Sequence, residues 1–218
     1  MKKNKCSKWA IALFCVAGIA LANSLSSCGG MSRLETEIDT PYQWLQKEPT
    51  GKKALMLVVD TSDSMTGEKM INAKVALDKY IRSLSSDVEI GMVTFPRFEV
   101  VEPRAKRDCL IKRIRELETG DDTPLAEAVY LAYKELAGVR ADEYHMAIIT
   151  DGEANNKGIL RRNVDFIIKN SPIRITTIGI NINSGHSLNR EGVRYIEVND
   201  FDSLKEGLGQ ILLEAPIE

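Results

Sequence analysis

Hydrophobic and polar positions change regime several times along this chain. Residues 54–59 are unbroken aliphatics, and the run ends abruptly at Asp60 in carboxylate and hydroxyl groups. A short apolar run bounded by polar turn residues is the pattern of a strand buried on both faces, as in a parallel sheet. Met70, Ala73, Leu77, Ile81 and Leu84 then recur at helical spacing and give one buried face. Residues 89–95 read as a second strand, and 98–101, after Pro96 and Arg97, as a short antiparallel edge strand joined to it by a hairpin. A helix is predicted over 106–117 and another over 124–137, where Pro124 suits a first-turn position. Strands at 145–150, 174–180 and 194–198 follow, with helices around 160–169 and 201–213. Strands alternating with helical patterns imply an α/β fold: a doubly wound, mostly parallel sheet with one antiparallel edge strand and helices on both faces. No internal repeat or low-complexity tract interrupts it.

The first 27 residues follow another logic. Lys2, Lys3, Lys5 and Lys8 precede the apolar run 9–21 with no acid among them. A positive start and a short apolar core describe a secretory signal peptide rather than a full membrane span. Residues 25–29, LSSCG, resemble a bacterial lipobox, in which Cys28 becomes the acylated first residue of the mature protein. The other readings are an uncleaved anchor, or an ordinary signal peptide with an incidental cysteine. No aspartate follows Cys28, so the chain resembles lipoproteins sent to the outer membrane. Residues 28–52 then read as the lipidated cysteine and a tether or arm, able to span roughly 80 Å if fully extended, and 53–218 as the folded domain. Tyr42, Trp44 and Leu45 are expected to pack onto that domain. Losing Cys6 and Cys15, with Cys28 blocked as a thioether, leaves Cys109 in the mature domain, so no internal disulfide is expected there. On its helix Cys109 reads as a buried small hydrophobe.

Asp60, Ser62 and Ser64 alternate along the turn after the first strand, so their oxygens can converge on one point. Crevices outside the carboxyl ends of parallel strands are where open α/β sheets bind ligands. A carboxylate and two hydroxyls, with no His or Cys nearby, suit a hard cation. This Asp-x-Ser-x-Ser resembles the first element of the metal-ion-dependent adhesion site of von Willebrand factor type A domains. Thr123, in GDDTPLAEAV, stands where that family places its metal-site threonine, and Asp151, in MAIITDGE, where it places its metal-site aspartate. The resemblance covers about 53–214.

The resemblance implies a Mg²⁺ site, with Mn²⁺ and Ca²⁺ as alternatives, built from Asp60, Ser62, Ser64, Thr123 and Asp151. An acidic side chain of a protein partner would fill the open coordination position, and nothing would be hydrolysed. Three departures stand out. Asp63 and Asp122 occupy positions where the family frequently has glycine, and residues 181–192 are too rich in Gly, Asn and Ser for the helix common at that point, so a loop or single helical turn is expected. Asp63 and Asp122 are therefore rim candidates, and Glu153, just after Asp151 and Gly152, is another, with a simply solvated side chain as its alternative. For the two aspartates, a turn-forming role is the favoured alternative, since Asp hydrogen-bonds to local backbone and tolerates unusual dihedrals.

Charge narrows the function classes. Removing the four signal lysines takes 29 basic residues to 25 against 31 acids, a formal charge near −6, which argues against general nucleic-acid binding. The basic stretch Arg104, Lys106, Arg107, Lys112, Arg113 and Arg115 is interleaved with Asp108 and Glu116 and reads as a solvated helix face. His145 and His186 suggest no zinc site, and no catalytic triad, P-loop or paired-carboxylate motif is present. The expectation is a non-enzymatic, lipid-anchored module of the bacterial cell envelope that binds a protein through a divalent cation. The alternatives are a structural or assembly component whose metal only orders the loops and, further behind, a metal-dependent hydrolase.

Overall fold

The computed structural model describes residues 37–39, 41–42, 44, 48–182 and 185–213. The signal segment, the lipobox and Cys28 lie outside the described residues, as does Leu45. Among the described residues no helix is long and apolar enough to cross a membrane.

Six strands form one sheet in the order β3-β2-β1-β4-β5-β6. These are β1 (Lys53–Asp60), β2 (Val88–Phe95), β3 (Val100–Val101), β4 (Glu143–Thr150), β5 (Ile173–Ile180) and β6 (Val193–Val198). All neighbours pair in parallel except β3, which runs antiparallel to β2. The helices are α1 (Glu68–Ser83), α2 (Arg107–Arg115), α3 (Leu125–Ala137), α4 (Lys157–Asn170) and α5 (Phe201–Gly209).

The apolar run at 54–59 is continuous because both its faces are covered. Leu55, Leu57 and Val59 pack with α1, α2 and α5 through Leu77, Ile81, Leu110, Ile114 and Leu208. Ala54, Met56 and Val58 face the opposite layer of Val129, Tyr133, Leu136, Leu160 and Val164 on α3 and α4. The sheet is thus wound on both sides, with β1 at its centre and its C-terminal end opening at Asp60. Gly91 lets the edge approach: a Cβ there would meet the backbone of Val101 and Pro103.

Several details differ from the sequence pattern. The edge strand shrinks to two residues, Val100–Val101, because Glu99 N and Thr94 Oγ1 are spent on a tight turn around Arg97. The closing helix ends at Gly209, and residues 210–213 continue as turns that still bury Ile211. Between β5 and β6, by contrast, the described residues of 181–192 form turns rather than a helix, as expected. Cys109 corrects the expectation placed on it: it is half-buried on α2 rather than buried.

The described residues before β1 lie on the domain. Ile38 is buried, its N–H donating to Asn163 Oδ1 at 3.0 Å. Trp44 packs edge-on against Tyr144 at 4.8 Å between centroids and against Tyr133 at 6.1 Å, while Tyr42 lies 5.3 Å from Tyr133.

Candidate metal centre

Three loops meet at the C-terminal ends of β1 and β4. The first leaves β1 at Asp60, where Thr61 anchors it to the end of β2: its N–H and its hydroxyl both donate to Phe95 O, at 2.8 and 2.7 Å. Ser62 N then donates to Asp60 Oδ1 at 2.8 Å, folding the turn back over the carboxylate. A single 3-10 turn, Asp63–Met65, buries Met65 and projects Ser64 outward. The Ser62 and Ser64 hydroxyls stand 2.9 Å apart, so alternate residues do bring their oxygens together.

The second loop follows β4. Ser64 Oγ donates to Asp151 Oδ1 at 2.6 Å, joining the two loops directly. Lys69, in the first turn of α1, sets its ammonium on Asp151 Oδ2 and on Ser64 O, the latter at 3.2 Å. The third loop runs into α3. Ser62 pairs with Gly120 in an isolated parallel bridge, and Gly120 N donates to Thr61 O at 2.9 Å. Thr123 O accepts from Leu125 N and from Asn155 N, tying this loop to the one after β4. The Thr123 hydroxyl has no hydrogen-bond partner among the described residues.

Asp60 is fully buried and forms no ion pair among the described residues. Burial pushes its carboxyl above the usual range, the Asp151 charge adds to this, and hydrogen bonds from Ser62 and Thr150 oppose it. A buried carboxylate without a cationic partner is costly, and a bound cation would relieve it. No cluster of three or more His, Cys, Asp or Glu side chains able to hold a metal occurs among the described residues. The donors are instead two carboxylates and the hydroxyls of Ser62, Ser64 and Thr123. All are hard oxygens, and few carry charge, which fits a magnesium-like ion that keeps several waters.

The rim candidates separate. Asp63 is exposed and shares a hydrogen bond with Asp121, and that contact together with the like charge raises its carboxyl above the ordinary value. Asp122 adopts φ 87°, and its Oδ1 accepts from Thr123 N and Asn155 Nδ2, so it shapes the turn. Glu153 is engaged by the β5–β6 loop: it accepts from Ser187 N at 2.8 Å and from Ser187 Oγ at 2.7 Å. Burial raises its carboxyl, but the Ser187 hydrogen bonds outweigh this and leave it below the ordinary value.

Three contributors carried no motif signal. Thr150 donates to Asp60 Oδ2 at 2.5 Å from the neighbouring strand. His186 is buried in the β5–β6 loop; Leu188 N donates to its Nδ1, so Nε2 carries the proton given to Gly152 O at 2.9 Å. Lys69 looks in sequence like any surface lysine at a helix start. A lysine in the first helical turn, five residues past the second serine, is the only trace it leaves.

The sequence profile of the von Willebrand factor type A domain matches residues 54–208. Among solved structures, the chain is similar in fold to proximal thread matrix protein 1 from the mussel byssus, at TM-score 0.64 and 15% identity, covering 74% of this chain and 45% of that one. It is similar to the pilus adhesin SpaC from Lactobacillus rhamnosus GG, at 0.63 and 12%, covering 73% and 29%. It also resembles the vWF domain of the type V pili tip protein Mfa5 from Porphyromonas gingivalis, at 0.59 and 12%, covering 73% and 93%. The chain thus spans less than half of the first two proteins, and identities this low speak for the fold alone. A search by sequence among curated proteins finds no match.

Proposed function

Because this chain belongs to the von Willebrand factor type A family, we propose that it is a cell-envelope binding module that captures a protein partner through a divalent cation. Asp60, Ser62, Ser64, Thr123 and Asp151 would hold the ion, Mg²⁺ before Mn²⁺ or Ca²⁺. Once bound, it would supply an electrophilic position for an acidic oxygen of the partner. The observation that carries this reading is the Ser62–Ser64–Asp151 run of oxygens beside the buried Asp60, which has no cationic partner among the described residues.

The chain's own residues do the rest. Thr61 and Thr150 fix the two strand ends, and the Ser62–Gly120 bridge brings the Thr123 loop alongside. Neutral hydroxyl donors leave a dication under-neutralised, so an incoming carboxylate gains more. The top loops are already tied by hydrogen bonds from Ser64, Gly120, Asn155 and His186. This supports a metal used for capture over one needed only to order the loops. Both ring nitrogens of His186 are engaged with backbone, which supports a non-enzymatic role over hydrolysis.

The lipobox at 25–29 and the lysine-rich start support export and attachment through Cys28, with the outer membrane as the expected destination. Neighbours described as pilus proteins are in keeping with an envelope setting. The test is capture with purified protein in Mg²⁺ and in EDTA, comparing wild type with Thr123→Ala. A partner held in Mg²⁺, released by EDTA and lost in a Thr123→Ala variant of normal stability supports the module. A partner held equally in all arms overturns it.

A further inference from the structure

Lys69 is the basic residue closest to the chemistry, and local structure does not explain its place. It lies one residue inside α1, whose N-cap is Gly67 at φ 73°. A cation in the first turn of a helix opposes the macrodipole, which favours acids there. Its ammonium nonetheless reaches back to Asp151 Oδ2 and Ser64 O. The Asp151 side chain is 0% exposed and that of Lys69 34%, so the lysine closes the solvent side of the carboxylate.

We propose, resting on the metal-binding reading above, that Lys69 is an internal counter-cation of the site. It occupies one oxygen of Asp151, leaves only Oδ1 turned toward the serines, and competes with the metal for that carboxylate. In the metal-free protein it neutralises a charge that would otherwise be buried and unpaired. In the loaded protein the same positive charge lowers the affinity for a dication. Lys69 therefore acts through Asp151 as a positioning residue that tunes metal affinity downward and keeps the site exchangeable.

The proposal separates affinity from stability. Calorimetric titration of Mg²⁺ and Mn²⁺ into wild type, Lys69→Met and Lys69→Arg should show tighter binding in Lys69→Met alone, by about fivefold or more, the lower limit set by two unit charges about 4 Å apart screened as in bulk water. Without metal, Lys69→Met should melt below wild type, and saturating Mg²⁺ should close the gap, because the ion takes over the neutralising role. In an Asp151→Asn background, Lys69→Met should add almost nothing to affinity, since the contested carboxylate is gone. Wild type that binds neither ion overturns the metal reading and this proposal with it. Wild type that binds, with Lys69→Met unchanged or weaker, overturns this proposal alone. A stability loss in Lys69→Met that persists in saturating Mg²⁺ marks a merely structural lysine and overturns it as well.

Discussion

The hydroxyl of Thr150 donates to Asp60 Oδ2 at 2.5 Å, linking the last residues of two adjacent parallel strands beneath the candidate metal centre. The same oxygen accepts from Gly152 N at 3.2 Å, so one side chain fixes both the buried carboxylate and the turn that carries Asp151. Thr150→Val keeps the shape and removes the hydroxyl. Loss of a hydrogen bond to a buried, partly charged acceptor costs about 1–3 kcal/mol. The loss should be greater at neutral pH than below pH 4, because the missing bond favoured the ionised form of Asp60. Chemical denaturation at pH 7 and at acid pH checks both statements.

Asp60 itself should behave oppositely in stability and in binding. Its carboxyl is raised from 3.8 chiefly by burial. The protonated form is therefore favoured in the fold: that advantage is full below 3.8 and is lost as pH rises through the higher folded value. At pH 7 the ionised group is a standing cost of the metal-free protein. Asp60→Asn should leave metal-free stability at pH 7 equal or higher, while abolishing metal binding. Thermal melts in EDTA and in Mg²⁺ read the two effects separately.

Asn163 is a buried amide that clasps the arm: Oδ1 accepts from Ile38 N at 3.0 Å and Nδ2 donates to Ala126 O at 3.2 Å. Asn163→Ala strands a buried N–H and a buried carbonyl, at about 1–3 kcal/mol. Proteolysis of the native variant should cut within 37–44 before it reaches β1, whereas wild type should be protected there.

Asp142 latches the entry to β1 by accepting from Thr50 N at 2.8 Å and Gly51 N at 2.6 Å. These bonds, the Thr50 backbone first, hold its carboxyl below the ordinary 3.8. A depressed carboxylate contributes stability above 3.8 that disappears as pH falls through the folded value. Asp142→Asn should therefore be less stable than wild type at pH 7, with the difference vanishing in the acid limb of a pH titration.

The sheet was legible because β1 is covered on both sides and so is continuously apolar over 54–59, whereas α1 shows a single buried face through Met70, Ala73, Leu77 and Ile81. Asp60, Ser62 and Ser64 were legible because an extended turn places alternate residues together. Thr150 and Lys69 were not, since each acts across strands or loops far apart in sequence, and nothing local distinguishes them. Glu153 reads in sequence as a rim residue by its proximity to Asp151; side-chain direction, set by Ser187 more than thirty positions later, turns it to the β5–β6 loop. Cys109 escaped for a related reason, because its helical neighbours are buried while its own position is half-exposed.

The central claim is a divalent-cation site built on Asp60, Ser62, Ser64, Thr123 and Asp151. Its most direct test is calorimetric titration of Mg²⁺ and Mn²⁺ into the purified protein beside Ser62→Ala and Asp151→Ala. One saturable site in wild type, absent from both variants although they remain folded, is the expected result. Binding that survives in either folded variant, or wild type that takes up neither ion at millimolar concentration, would contradict the assignment.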